Sequence, residues 1–339
     1  MRRPASLVAV AALACLLLGG CGDSTEPRPT AVATTPPATK PSPTPRPPAD
    51  DLDRVTLVFD DVLPTIGFEP PFEVDEPVFR IESPGTGEVI TDEGFVEYEY
   101  VRVFGEDGRS HGASRDGFGR EEMLELVSLG DPDTPDVLRE ALVGQRVGVR
   151  VLLAEPPVEQ VPPAGQIPTV ITYLEVVEVF TPGLGRAQGT PVPPVDGLPE
   201  VTLLESGEPV LGEIPARVPD LTEAVVQPLV LGDGPTVQYH EHVAVHYAGW
   251  DWADGTPYRS TWDAGVPAYV EPSAYVPPDS WPDALAGFPV GSQVMVVMNY
   301  PKDPQMPRAG DVDMEWSPVV WVIDILDTRP IRGMEPMAP

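Results

Sequence analysis

Basic residues are scarce in this chain of 339 residues. It contains 21 Lys and Arg against 53 Asp and Glu, which gives a formal net charge of −32 at pH 7. Nucleic acids and anionic membrane surfaces attract cations, so this charge argues against either of them as the main ligand. The acidic residues are typical of a soluble exported protein. They form no Asp-x-Asp-x-Asp-Gly loop that would indicate a calcium site.

Long apolar runs are also absent. The most apolar stretch, residues 7–18, covers about 12 residues, whereas a membrane-spanning helix needs roughly 20. Arg2 and Arg3 precede this stretch and small residues follow it, which is typical of a secretory signal. We therefore predict that residues 1–20 form a signal peptide and do not belong to the folded protein.

Cysteine is limited to two positions, Cys15 and Cys21. The sequence LGGC at 18–21 resembles a bacterial lipobox, in which the cysteine is lipidated and becomes the new N-terminus. This resemblance implies that Cys21 is the lipidation site. It also implies that the protein contacts the membrane only through this lipid, on the outer face of a bacterial cell. An ordinary cleaved signal, with Cys21 present by chance, is the alternative. If Cys15 leaves with the signal and Cys21 is acylated, no disulfide or thiolate metal site can form.

Proline and glycine divide the chain. In residues 21–50, prolines alternate with small polar residues, which favours an extended polyproline conformation that cannot build a core. We expect a disordered stalk there, beginning at the lipidated cysteine. A second tract rich in Pro and Gly, residues 181–199, is predicted to be a linker. Two bodies of common domain size remain, 51–180 and 200–329, followed by a tail at 330–339.

The two bodies are similar to each other. No single match is strong, but the matches occur in the same order, which predicts a duplication. The matched pairs are FVEYEY at 95–100 with HVAVHY at 242–247, Asp107-Gly108 with Asp254-Gly255, and ALVG at 141–144 with ALAG at 284–287.

Most segments of each body are predicted to be strands, because β-branched and aromatic runs are bounded by Gly, Pro and Asp. The predicted helices are short and cover 120–128, Asp136–Leu142 and 281–286. This composition predicts an α+β fold class in which each antiparallel β-sheet is curled around a short helix.

Several motifs of the second body follow one another in a characteristic order. They are VHYAG at 245–249, DGTPYRSTWD at 254–263, WPDAL at 281–285 and VVWVIDIL at 319–326. In this order they resemble the FKBP-type peptidyl-prolyl cis-trans isomerase family, over about residues 221–328. The resemblance implies two tandem FKBP-like domains. The first is a degenerate copy, since Leu138 stands opposite Trp281.

The family resemblance also implies a pocket walled by aromatic side chains that binds a prolyl ring. Val276 and Pro277 lie near the segment whose backbone receives the ligand. Ala268 stands where the family usually has Phe, and Tyr269 or Tyr275 could fill that gap. The implied catalytic residues are Tyr247, Tyr258, Arg259, Trp281 and Trp321, and the implied substrate-binding residues are Val276, Pro277, Tyr269, Tyr275 and Tyr300.

The implied activity is isomerisation of prolyl bonds in exported polypeptides as they fold. It requires no nucleophile, metal or cofactor, because a dry pocket favours the twisted amide over the more polar planar one. A catalytically weakened FKBP-like chaperone or protein-binding lipoprotein is the main alternative. Arg259, which stands where the family has Asp, favours it, as does the altered flap after Tyr300. A structural envelope protein is a third reading. His246 is expected on the strand face opposite Tyr247.

Overall fold

The computed structural model describes residues 50–59, 63–115, 124–159, 165–273, 281–301, 316–332, 334 and 337–339. The predicted signal peptide, Cys21 and all of the predicted stalk except Asp50 lie outside these residues. The segment Pro45–Pro339 forms one compact unit. No helix within the described ranges is both long and apolar enough to cross a bilayer.

The N-terminal half of this unit is built on one antiparallel sheet. The strands of this half are β1 (Thr56–Val58), β2 (Thr65–Gly67), β3 (Val78–Ser83), β4 (Phe95–Phe104), β5 (Ser110–Ala113), β6 (Glu125–Ser128), β7 (Arg150–Glu155), β8 (Val158–Glu159), β9 (Gln166–Ile167) and β10 (Val170–Phe180). The first sheet has the order β3-β7-β10-β4-β5, with β6 beside β4. The pairs β1–β2 and β8–β9 are separate. A 3-10 helix, Asp50–Arg54, precedes β1, and helix α1, Asp136–Leu142, lies between β6 and β7.

The C-terminal half contains a second antiparallel sheet. The strands of this half are β11 (Thr190–Pro191), β12 (Val201–Leu203), β13 (Pro209–Leu211), β14 (Val225–Leu231), β15 (Glu241–Asp251), β16 (Pro257–Ser260), β17 (Ala268–Val270), β18 (Gln293–Pro301) and β19 (Trp316–Pro330). The order is β11-β14-β18-β19-β15-β16, with β17 beside β15, while β12 and β13 form a separate hairpin. A second 3-10 helix, Trp281–Leu285, precedes β18.

The two sheets have equivalent strand orders. Strands β3, β7, β10, β4 and β5 of the first sheet correspond, in that order, to β14, β18, β19, β15 and β16 of the second, and β6 beside β4 corresponds to β17 beside β15. One hydrogen-bond pattern is also repeated. The Ser114 hydroxyl accepts from the Tyr100 amide and donates to the Tyr100 carbonyl. The Thr261 hydroxyl does the same at Tyr247, at 2.9 and 3.2 Å. The two sheets therefore share a strand order and a hydroxyl contact, and the duplication stays a prediction from the sequence.

The helix predictions have three outcomes. Asp136–Leu142 is an α-helix, as predicted. Trp281–Leu285 is a 3-10 helix, which is the usual form for so short a segment. The helix predicted at 120–128 is wrong where it is described, because Glu125–Ser128 is a strand that pairs with β4. The described structure is therefore mostly β-sheet with a single α-helix.

Part of the predicted linker, residues 181–199, belongs to the second sheet. Thr190 pairs with Leu231 on β14. The Ala187 amide donates to the Asp324 carboxylate at 2.7 Å, and the Gln188 amide donates to the Gly291 carbonyl at 2.8 Å. These are mainly backbone contacts, so Pro and Gly composition gave no indication of them.

Alternation along the strands gives the second sheet two apolar faces. On β19, Trp321 belongs to the cluster on one face and Val320 to the cluster on the other. The 3-10 helix packs on the Trp321 face through Trp281 and Leu285. Since successive side chains of a strand point to opposite faces, β15 places Tyr247 on this face as well.

Candidate functional site: an aromatic cluster on the second sheet

Five aromatic rings converge on one face of the second sheet. Trp321 is at the centre and is only 1% exposed. Its ring centroid lies 5.5 Å from Tyr300, 5.6 Å from Tyr258, 5.7 Å from Tyr247 and 5.8 Å from Trp281. These five residues are called the aromatic cluster below. Four of them were predicted as catalytic residues and Tyr300 as substrate-binding. They lie up to 74 positions apart in the sequence, on β15, β16, β18, β19 and the 3-10 helix, and the fold brings them together.

Buried and partly exposed rings have different places in the cluster. Trp321 and Trp281 are buried, whereas Tyr247, Tyr258 and Tyr300 are partly exposed. Trp321 meets Tyr258 nearly edge to face, with an interplanar angle of 86°. Such arrangements contribute about 0.5–1.5 kcal/mol per pair beyond the area that they bury. The cluster therefore has an apolar floor of two indoles beneath a rim of three phenols.

Two local features hold the cluster in place. The Thr261 hydroxyl bonds to both backbone groups of Tyr247 and so fixes the strand that carries this ring. Gly249 lies directly against Trp321, because a Cβ atom added there would be only 2.6 Å from the indole ring. Glycine at position 249 therefore leaves room for the large indole ring of Trp321.

The floor contains one unsatisfied polar group. The Trp321 Nε1 atom is buried and has no hydrogen-bond partner among the described residues. Buried donors of this kind are uncommon, since leaving one unpaired costs roughly 1–3 kcal/mol. The centre of the cluster therefore carries a buried N–H that no described residue satisfies.

Arg259 lies at the exposed edge and is not one of the converging groups. Its side chain is 52% exposed, and its guanidinium is 3.8 Å from the carboxylate of Asp133. Burial raises the pKa of Tyr247, and the positive charge of Arg259 partly offsets this effect. Arg259 therefore lies close enough to Tyr247 to influence its hydroxyl group electrostatically.

Sequence reasoning missed the part of the first half that borders the cluster. Asp131 and Asp133 lie in the turn before α1, and both carboxylates contribute to raising the pKa of Tyr247. Arg139 fixes this turn by donating to the Asp131 and Leu129 carbonyls, each at 2.7 Å. No local pattern in the sequence could have shown that this turn lies near the second sheet.

Tyr269 is not in the aromatic cluster, which corrects the expectation that it could fill the gap left by Ala268. Its ring lies 4.8 Å from Phe95 and 6.1 Å from Phe180, both in the first half, and 5.0 Å from His242. It therefore packs between the two sheets. Tyr275, Val276 and Pro277, the other predicted substrate-binding residues, lie outside the described residues.

His246 lies away from the cluster, as its strand position predicts. Its ring stacks on Trp262 with centroids 4.3 Å apart, and its Nδ1 is 2.9 Å from the Thr261 hydroxyl. Burial lowers its pKa to about 4, so it is neutral at pH 7. In the described ranges no group of three His, Cys, Asp or Glu side chains is arranged to hold a metal ion.

The equivalent face of the first half has a different composition. Tyr100 is present, but the Arg102 guanidinium lies over its ring at 4.2 Å. Leu138, opposite Trp281, is buried in a core with Ala141, Leu142 and Tyr98. The first half therefore does not reproduce the indole floor of the aromatic cluster.

No family model and no curated protein matches the chain. Three solved structures are similar to the chain. FkpA from Escherichia coli is 20% identical, with 40% of this chain and 54% of that chain covered and a TM-score of 0.27. The chain thus spans about half the length of FkpA. The three FKBP domains of wheat FKBP73 are 15% identical, with 75% and 95% covered and a TM-score of 0.26. A peptidyl-prolyl cis-trans isomerase from Pseudomonas syringae is 21% identical, with 33% and 80% covered and a TM-score of 0.26. TM-scores below 0.5 do not establish a common overall fold.

Proposed function

We propose that the aromatic cluster binds a prolyl ring and that the C-terminal half catalyses prolyl cis-trans isomerisation in exported polypeptides. The observation that carries this proposal is the convergence of Tyr247, Tyr258, Trp281 and Tyr300 on Trp321. If these residues were unrelated parts of the core, five different elements would not need to bring them together around one partly exposed group of tyrosine rings.

The chemistry needs only such an environment. Rotation about an X-Pro bond has a barrier of about 18–20 kcal/mol, because amide resonance must be broken. The twisted amide is less polar than the planar one, so an apolar floor lowers its free energy relative to water. Lowering the barrier by ~4 kcal/mol would accelerate the reaction roughly a thousandfold.

The proposed roles follow the burial of each ring. Trp281 and Trp321 form the floor on which the prolyl ring rests. Tyr247, Tyr258 and Tyr300 surround it and exclude water from the rotating amide. Val276, Pro277 and Tyr275 remain predicted substrate-binding residues.

A second candidate function is peptide binding without efficient catalysis, as in a chaperone. It is favoured by Arg259, whose guanidinium and partner Asp133 place a charged pair at the edge of the cluster. A charged pair keeps water near the amide, which weakens the preference for the twisted state. The two candidate functions therefore share a binding site and differ in how much water remains near the bound amide.

We also propose that the chain acts outside the cytoplasm, tethered through a lipid on Cys21 and held off the membrane by its Pro-rich stalk. In this arrangement the first half serves as a spacer or contact surface. Replacing Cys21 with Ser should release the protein from the membrane fraction of expressing bacteria. Retention of the variant on membranes would contradict the lipid anchor.

Binding and catalysis can be separated by experiment. The chain lacking residues 1–21 is titrated with an X-Pro tetrapeptide and with the same peptide carrying Ala in place of Pro, with tryptophan fluorescence as the signal. The proposed site predicts a response to the Pro peptide alone. Equal responses to both peptides would contradict a prolyl pocket. A Pro-specific response without faster isomerisation would favour the chaperone function.

A further inference from the structure

The second sheet also carries a cavity on the face opposite the aromatic cluster. Its volume is about 650 Å³, and it lies between residues 208–214 at the β12–β13 hairpin and the β15–β16 hairpin. Volumes of about 300–1,000 Å³ are typical of ligand sites. This cavity is called the hairpin groove below.

Small residues on β15 create the groove. Ala248 points to the face opposite Tyr247 and has too short a side chain to fill the space. Gly249 cannot gain a Cβ because Trp321 occupies that position from the other face. The bare backbone of β15 thus separates the groove from the aromatic cluster, and ligands on the two faces would not compete for space.

The lining combines apolar walls with charges of one sign. Among the described residues that line the groove, the charged side chains are all carboxylates, and no Lys, Arg or His is present. The apolar walls are Val210, Leu211, Ile214, Trp250 and Pro257, and the carboxylates belong to Glu208, Glu213, Asp254 and Asp263.

We propose that the hairpin groove binds a Lys or Arg side chain of an extended polypeptide. Such a side chain matches both features, because its aliphatic stem packs on apolar walls while its cationic end reaches carboxylates. An anionic ligand would be repelled by four carboxylates. A wholly apolar segment would have to displace water from these carboxylates without forming polar contacts to replace it.

The proposal is independent of prolyl isomerase activity. A proline-free peptide is its proper probe, and the aromatic cluster need not take part. If both sites function, an exported polypeptide would be held at two points on opposite faces of one sheet. The local concentration of its prolyl bonds near the cluster would then rise without any new contact there.

The test measures fluorescence anisotropy of a labelled peptide, Ala-Val-Arg-Val-Ala-Gly, with the chain lacking residues 1–21 at low salt. A peptide with Gln in place of Arg is the neutral control. The groove predicts saturable binding of the Arg peptide, weakened by added salt, and clearly weaker binding of the Gln peptide. Absence of binding, or equal binding of both peptides, would overturn the proposal.

Protein variants locate the binding site. Glu208→Gln with Glu213→Gln should weaken the Arg peptide about fivefold, since exposed charge pairs contribute only modestly to affinity. Val210→Lys places a cation at the exposed rim and should weaken it further. The matched pair Glu106→Gln with Glu223→Gln, exposed and outside the groove, should have no effect. Equal weakening by both acidic pairs would show general attraction to an acidic protein and would reject the groove.

Discussion

Gly249 and Trp321 show how single residues determine this site. A Cβ at 249 would lie 2.6 Å from the indole ring, so Gly249→Ala must displace either β15 or Trp321. Overpacking of this kind typically costs about 1–3 kcal/mol. We expect a loss of this size in the free energy of unfolding, measured with urea. Gly183→Ala, which has open space around it, is the control and should be nearly neutral. Equal stability of Gly249→Ala and the wild type would contradict this packing.

His246 gives the stability a dependence on pH. Burial lowers its pKa to about 4, below the value of 6.5 expected in the unfolded chain. The unfolded state therefore binds more protons between these values, and the free energy of unfolding rises with pH across that range. Each pKa unit corresponds to about 1.4 kcal/mol, so the full effect is roughly 3 kcal/mol.

The variant His246→Asn isolates this contribution. Asp324 acts in the opposite sense, because burial raises its pKa to about 6 and its stabilising contribution is lost as the pH rises from 3.8 through that value. The difference between wild type and variant cancels Asp324 and any other unchanged group. We expect this difference to grow from pH 4 to pH 6.5 in urea titrations. A constant difference would show that His246 titrates normally.

Much of the site at this scale could be predicted from the sequence. The order and spacing of aromatic motifs identified Tyr247, Tyr258, Trp281 and Trp321, which the chain does bring together. Tyr269 could not be assigned, because its neighbours Phe95 and Phe180 belong to the other half of the chain. Spacing within one motif carries no information about such a distant contact.

At the scale of elements, the same hydroxyl clamp joins β4 to the chain after β5 and β15 to the chain after β16. In the second half Thr261 Oγ1 bonds the Tyr247 amide and carbonyl and lies 2.9 Å from His246 Nδ1. Thr261→Val keeps the shape but removes the hydroxyl partner of the Tyr247 amide and of His246 Nδ1, while the Tyr247 carbonyl keeps its bond from the Thr261 amide at 3.0 Å. We expect a loss of about 1–3 kcal/mol in unfolding free energy. Thr202→Val, on an exposed strand position, should change little. Equal effects of the two substitutions would contradict the clamp.

The elements that were predicted incorrectly are those without a strong local pattern. Glu125–Ser128 is only four residues long, and in so short a segment helical and strand patterns cannot be told apart; pairing with β4 makes it a strand. The tract 181–199 was read from composition, whereas backbone bonds to Asp324 and Gly291 attach part of it to the second sheet. The repeated strand order was more predictable, because matched motifs occur in the same order in both halves.

At the scale of the whole molecule, the two halves are joined by charged and aromatic contacts. Glu178 at the end of β10 accepts hydrogen bonds from Arg329 at 2.6 Å and from Arg332 at 2.7 Å. The Arg329 guanidinium lies 3.7 Å from the centre of the Phe180 ring. Tyr269 and Phe95 add an apolar contact beside this network. The halves are therefore expected to unfold together.

Substitution of Tyr269 tests this interface. Tyr269→Ala removes a large ring from between the sheets and should lower the unfolding free energy by about 3–5 kcal/mol. It should also separate the transitions of the two halves when calorimetry and tryptophan fluorescence are compared. Tyr269→Phe keeps the ring and removes a buried hydroxyl that has no partner among the described residues, so it should preserve stability. Coincident transitions in Tyr269→Ala would show that the ring does not couple the halves.

The central claim is that the aromatic cluster of the second half, and not its counterpart in the first half, is the site of prolyl isomerisation. The direct measurement is the cis-trans exchange rate of an X-Pro tetrapeptide by magnetisation-transfer NMR, with and without the chain lacking residues 1–21. We predict acceleration by the wild type, loss of at least tenfold in Trp321→Leu, and no loss in Tyr100→Leu, with folding of both variants checked by circular dichroism. An exchange rate equal to that of the free peptide, or equal losses in the two variants, would contradict the claim.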